Sequence, residues 1–167
     1  PKLAKQPINE HSLLSGPLEP TNEWYAIAKI AGLKLCKAYA LQYKRNFISA
    51  MPTNLYGPGD NFDPNNAMVI PSLMNRIYRG EDPLMVWGDG SAIRDFAYSE
   101  DVAMGMILAL YHGTDSQFLN LGSGKGYSIQ DLVNTLSEIV SFNYKFDTTK
   151  SGGFPKRIMD ISLAKER

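Results

Sequence analysis

Between Thr21 and Tyr43 the apolar positions Ile27, Ile30, Ala31, Leu35, Ala38 and Leu41 recur mostly at three- and four-residue steps. Shortly afterwards that period is lost, and Phe47-Ile-Ser-Ala-Met51 is a short apolar run closed by Pro52. This juxtaposition constrains the fold more than any other feature. A strand too apolar to alternate is buried on both faces, as in a parallel sheet covered by helices.

The same alternation runs through the rest of the chain. A helix is read from Val69 or Ile70 to about Tyr78 and a strand at Leu84–Trp87, with a further strand at Arg94–Tyr98 leading into a helix from Ser99 to about His112. Phe118–Leu121 reads as strand, Ser128–Val140 as helix capped by Ser128, Tyr144–Phe146 as a last strand, and a helix begins near Ile161. Residues 1–20 are broken by Pro1, Pro7, Gly16, Pro17 and Pro20, and the Gly-, Pro-, Asp- and Asn-rich stretch Asn54–Asn66 is expected to be loop throughout. Helix and strand in turn define an α/β fold. A change in glycine pattern near residue 56 divides the chain into 1–56 and 57–167.

Composition narrows the partners. Lys+Arg and Asp+Glu both number 17, so the chain lacks the broad basic surface that nucleic acid or an anionic membrane would require. The longest apolar run, Val102–Tyr111, is far shorter than the roughly 20 residues of a membrane-spanning helix. One cysteine, Cys36, rules out an internal disulfide framework and points to a reducing, cytoplasmic setting. With only two histidines beside it, no metal site is expected.

The chemically suggestive segment is Tyr25-Ala-Ile-Ala-Lys29. On a helix, positions i and i+4 share a face, so a phenol and an ammonium can point the same way. A phenol near pKa 10 is a weak acid at neutral pH, and an adjacent ammonium favours the phenolate and brings proton transfer within range. By spacing alone the pair reads more readily as a surface contact than as a catalytic one.

Two stretches supply context: Thr21-Asn-Glu-Trp-Tyr-Ala-Ile-Ala-Lys-Ile-Ala-Gly-Leu-Lys-Leu-Cys36 and, beyond the strand, Met51-Pro-Thr-Asn-Leu-Tyr-Gly-Pro-Gly-Asp-Asn-Phe62. Together with Val69-Ile-Pro71, Val86-Trp-Gly88, Arg94-Asp-Phe96 and Pro155-Lys-Arg157 they resemble the extended short-chain dehydrogenase/reductase family of nucleotide-sugar epimerases, dehydratases and reductases. The nearest branch acts on GDP-4-keto-6-deoxy-hexoses. The resemblance covers nearly the whole chain and implies the C-terminal part of a Rossmann-type doubly wound parallel sheet plus a smaller α/β substrate lobe, the chain being one piece of a longer enzyme.

What the resemblance implies can be placed by residue. Tyr25 would protonate the sugar O4, and Lys29 would hold the nicotinamide ribose beside it. Pro52, Thr53, Asn54 and Leu55 would form the wall along the nicotinamide of NADP, with Met68 also on the cofactor side. Asn54, Val69, Arg76, Trp87, Arg94 and Arg157 would contact a GDP-sugar, and guanidinium groups suit phosphate oxygens while an indole suits a base or ribose. The catalytic helix would pair with its copy in a homodimer. The alternatives are another nucleotide-sugar 4-reductase, 4-epimerase or dehydratase, or a non-catalytic sugar-nucleotide-binding fragment.

One position departs from the branch. Its 3,5-epimerisation uses a Cys–His pair, and the His belongs immediately before Val69, where this chain has Met68. A thioether exchanges no proton. His11 and His112 lie in other motifs, and Cys36 is expected to pack. Gly122-Ser-Gly124-Lys-Gly126 has the look of a phosphate loop, but Tyr127 stands where the last fingerprint glycine belongs, and a plain lobe turn is expected. The helical spacing of Met104, Ile107 and Leu110, with Met106 beside them, suggests core.

Overall fold

The computed structural model describes residues 3–113 and 118–167. The expected alternation holds. Helix α1 (Glu23–Tyr43) is followed by strands β1 (Ser49–Pro52) and β2 (Asn54–Tyr56), helix α2 (Val69–Tyr78), and strands β3 (Leu84–Trp87), β4 (Ile93–Arg94) and β5 (Phe96–Tyr98). Helix α3 (Ser99–His112), strands β6 (Phe118–Leu121) and β7 (Tyr127–Ser128), helix α4 (Ile129–Ile139), strands β8 (Tyr144–Asp147) and β9 (Lys156–Arg157), and helix α5 (Ser162–Glu166) complete the order.

Pairing is mostly parallel. β1 runs beside β6 with Ser49 opposite Phe118, β2 beside β5 with Asn54 opposite Phe96, and β3 beside β8 with Leu84 opposite Tyr144. β4 is central in a small mixed sheet, antiparallel to β7 and parallel to β9. Asn54–Tyr56 was expected to be loop and is instead a strand. Its backbone completes the ladder along β5, and the Gly/Pro turn chemistry begins only at Gly57.

The predicted single strand Arg94–Tyr98 is two strands that exchange partners at Asp95. On one side of it, the Asp95 N–H donates to the Arg157 carbonyl (3.0 Å), extending the β4–β9 ladder. Beyond it, Phe96 pairs with Asn54. The N-terminal stretch, irregular as expected, is tied into the fold: Ile8 bridges Met159 in parallel, and the amide of buried Asn120 donates to the Ile8 and Asp160 carbonyls. The Glu10 carboxylate, also buried, accepts the Asn120 N–H at 2.9 Å.

The main core gathers Leu73 from α2, Leu84 and Val86 from β3, Ala92, Phe96, and Ile129 and Val133 from α4. A second cluster joins Ala97, Val102 and Leu121. Ser128 caps α4 through a reciprocal box with Asp131, as its position predicts. On α1 the expected core positions Ile27, Leu35 and Leu41 are exposed and only Ala40 is buried, while Asn22 occupies the cap position without a side-chain bond. Met104, Met106, Ile107 and Leu110 are likewise exposed, which corrects the core reading of α3. Its buried side is Val102 and Ala109. Helical spacing marks a face to be covered. Among the described residues nothing covers these two faces.

Candidate active site

Tyr25 and Lys29 stand one turn apart at the start of α1. Both are exposed, and the Lys29 ammonium lies 5.3 Å from the centre of the Tyr25 ring. Neither side chain makes a hydrogen bond among the described residues, so a phenol donor and an ammonium are presented side by side for an outside partner. A phenol beside an ammonium is a pair able to donate a proton to an oxygen placed against it.

β1 leads directly into the segment Pro52–Leu55. Here the structure refines the expectation, because the Thr53 hydroxyl and the Asn54 amide both donate to the Asp95 carbonyl, each at 2.9 Å. These side chains are occupied internally. They hold the shape of the segment instead of reaching outward, while Leu55 is partly exposed on its rim. Val69 opens α2 and packs against the main core, and Met68 precedes it in extended backbone with its side chain exposed.

The cationic residues fall into two groups. Arg76 is engaged by Glu81: Nε meets Oε2 at 2.7 Å, and Nη2 also reaches the Met85 carbonyl at 2.6 Å. The guanidinium holds the Glu81 carboxyl below its ordinary range, against a smaller opposing effect of desolvation. Arg94 and Arg157 differ in kind. They face each other in register on β4 and β9. Arg94 donates to the Ile93, Phe154 and Gly152 carbonyls, and Arg157 sits exposed with its guanidinium 5.4 Å from the Phe154 ring. Neither forms an ion pair with a carboxylate among the described residues. Burial first, and then the Arg157 charge, draws Arg94 below the usual arginine range, though it stays protonated at neutral pH.

Trp87 ends β3, next to the residue that meets the same 152–154 loop. Its strand turns at Gly88, which has φ +86° and whose Cβ position is 2.8 Å from the Gly152 Cα, so only glycine lets β3 and the 152–154 loop approach this closely. The indole is largely exposed. Arg94 and Arg157 thus both meet the 152–154 loop, and the glycine that follows Trp87 abuts Gly152. A separate groove of about 1000 Å³ lies between α3, α4 and β6, and none of these residues lines it.

The Gly122–Gly126 turn follows its expected course as a structural loop. A phosphate-binding loop must offer its N–H groups, and those of Ser123 and Gly124 already donate to the Asp95 carboxylate at 3.0 and 3.2 Å. Asp95 is the residue the sequence reading passed over. It stands inside Arg94-Asp-Phe96, and the usable signal is an acid in the middle of a stretch read as strand. Tyr127, opposite Arg94 on β7, and Phe154 beneath Arg157 were also missed.

The model of the "NAD dependent epimerase/dehydratase family" matches residues 1–122. A GDP-L-fucose synthase of Sinorhizobium fredii is 49% identical over 165 residues, covering 95% of this chain and 52% of that protein. The solved GDP-L-fucose synthetase of Naegleria fowleri bound to NADP superposes with TM-score 0.87 at 30% identity, covering 98% of this chain and 55% of the other. A GDP-mannoheptose C4 reductase of Campylobacter jejuni with NADP bound gives TM-score 0.84 at 26% identity, covering 99% and 60%. The chain spans about half the length of the curated relatives it matches. It belongs to the NAD dependent epimerase/dehydratase family.

Proposed function

We propose that this chain is part of an NADP(H)-dependent enzyme that reduces the C4 keto group of a GDP-4-keto-6-deoxy-hexose. The observation that carries this reading is the unengaged Tyr25–Lys29 pair on α1. NADPH, when bound, supplies a hydride for C4. Tyr25 Oη gives its proton to the sugar O4, and the Lys29 ammonium stabilises the phenolate left behind while holding the ribose hydroxyls. Pro52–Leu55 shape the nicotinamide wall, with Thr53 and Asn54 locked by the Asp95 carbonyl. Arg94 and Arg157 bind the diphosphate, and Trp87 covers the base or ribose.

On this reading residues 1–56 supply the catalytic helix and the wall, and 57–167 the sugar-nucleotide lobe. The uncovered apolar residues of α1, Trp24, Ile27, Leu35 and Leu41, suit a helix that pairs with its copy in a homodimer. No helix among the described residues is long and apolar enough to cross a membrane. A cytoplasmic location is consistent with that and with the single cysteine.

Met68 favours reduction without 3,5-epimerisation, since its exposed thioether has no exchangeable proton. The test is to incubate the intact protein with NADPH and the ketosugar in deuterated water and read the product by proton NMR. A reduced C4 with undeuterated C3 and C5 is expected. Deuterium at those carbons means that another group performs the exchange. GDP binding without any reduction replaces the proposal with a non-catalytic binding role.

A further inference from the structure

Asp95 has no solvent exposure, and its carboxylate is held by neutral donors alone: Ser123 N–H at 3.0 Å and Oγ–H at 2.6 Å on one oxygen, and the Gly124 and Met159 N–H groups at 3.2 Å on the other. A buried charge costs several kcal/mol unless fully hydrogen-bonded, so four donors from two segments are what keeps it there. The main chain of the same residue makes three more bonds. Its N–H reaches the Arg157 carbonyl, and its carbonyl takes both the Thr53 hydroxyl and the Asn54 amide. Arg94 is its chain neighbour. One residue thus touches the wall segment, the turn after β6 and the strand of Arg157, and is bonded along the chain to the second arginine.

We propose that Asp95 is a positioning residue that sets the spacing between the Thr53–Asn54 wall and the Arg94–Arg157 pair, and through it the approach of C4 to the hydride donor. The proposal rests on the reading of those two groups given above. Pinning the carboxylate at four points fixes the Asp95 backbone, and that backbone is where the wall side chains attach. Hydride transfer is sensitive to displacements of about 1 Å, which can cost about a hundredfold in rate. Binding of GDP, which would rest on Arg94, Arg157 and Trp87, depends less on where that group stands relative to the wall.

The test uses the intact protein with Asp95→Asn, which keeps the size but turns one acceptor oxygen into an N–H₂ facing N–H donors. The expected result is a kcat at least tenfold lower with GDP and NADPH dissociation constants within threefold of the parent. Hydrogen exchange is expected to accelerate at the 52–55 segment as well as at Ser123, Gly124 and Met159. The exchange readout is independent of turnover, so a parent lacking reductase activity overturns the functional reading while exchange still judges Asp95. Ser123→Ala, which removes only the hydroxyl donor, is the second variant and decides if Asp95→Asn does not fold. It should show the same pattern with a loss of about threefold. Unchanged kcat in a folded variant, equal losses in kcat and both affinities, or faster exchange confined to 123, 124 and 159 would each overturn the proposal.

Discussion

Arg94 and Arg157 lie opposite one another on parallel strands, two like charges with no carboxylate paired to either among the described residues. The strand pairing holds them together against their repulsion, and an anion bound between them would remove it. Their roles still differ. Arg94 is half-buried and braces the 152–154 loop through the Gly152 and Phe154 carbonyls, whereas Arg157 is exposed.

Arg157→Ala in the intact protein should therefore weaken GDP binding about ten- to a hundredfold, the worth of one or two charge-assisted hydrogen bonds, with thermal stability little changed. Arg94→Ala should weaken GDP binding and lower the melting temperature together, because the loop carbonyls lose their donors. Calorimetry with GDP and a thermal melt on each variant separate the two. Equal destabilisation by both substitutions would contradict this division of roles.

Tyr25→Phe removes one oxygen from a side chain that is 60% exposed. Folding should be unaffected within about 0.5 kcal/mol, as for a surface substitution. Turnover should fall by orders of magnitude with substrate affinity nearly unchanged, because the proton donated to O4 matters only in the transition state. Steady-state kinetics beside a denaturation curve checks both halves. Near-normal turnover would remove Tyr25 from the proposed chemistry.

Legibility in the sequence followed how local each determinant is. α2 and α4 place their apolar residues on one side and were readable from period. β3 is apolar throughout and was readable as a short apolar run, its alternation of buried Leu84 and Val86 with exposed Met85 and Trp87 appearing only in the structure. The two-residue strands β7 and β9 were not, since their pairing depends on β4 and leaves no period of its own. On α1 and α3 the spacing identified apolar faces correctly but not their exposure, which depends on what lies against them. The Tyr25–Lys29 pair needed only five residues of sequence. Asp95 needs segments 28 to 64 residues away, and no local pattern shows that its neighbours are donors.

Gly122 is the tightest point in the network around Asp95. A Cβ there would lie 2.9 Å from Asp95 Oδ2 and 3.2 Å from Thr53 Cγ2, and neither atom is the far end of a flexible chain. Gly122→Ala should destabilise the protein by about 1–3 kcal/mol, as for overpacking a filled interior. Because the methyl pushes on both the carboxylate and the wall, activity should fall further than stability alone explains. Urea denaturation and turnover below the transition measure the two effects. A stability within 0.5 kcal/mol of the parent would show that the site can yield.

Glu81 links the end of α2 to β3, accepting from Arg76 and from the Met85 N–H at 3.1 Å. Its carboxyl is held below the ordinary glutamate range, chiefly by the Arg76 hydrogen bonds. A carboxyl with a depressed folded pKa adds stability that is fully present above its unfolded pKa, near 4.5, and is lost as pH falls through the folded value. With both side chains about a third exposed, solvent screening limits the contribution to about 0.5–1 kcal/mol. Glu81→Gln should therefore be less stable than the parent at pH 7 by about that amount. The gap should close as the pH falls below the unfolded value near 4.5 and through the lower folded one, and at pH 7 it should narrow in high salt. Denaturation curves at pH 7, 5 and 3.5 follow it, and a gap independent of pH would assign the effect to packing instead of charge.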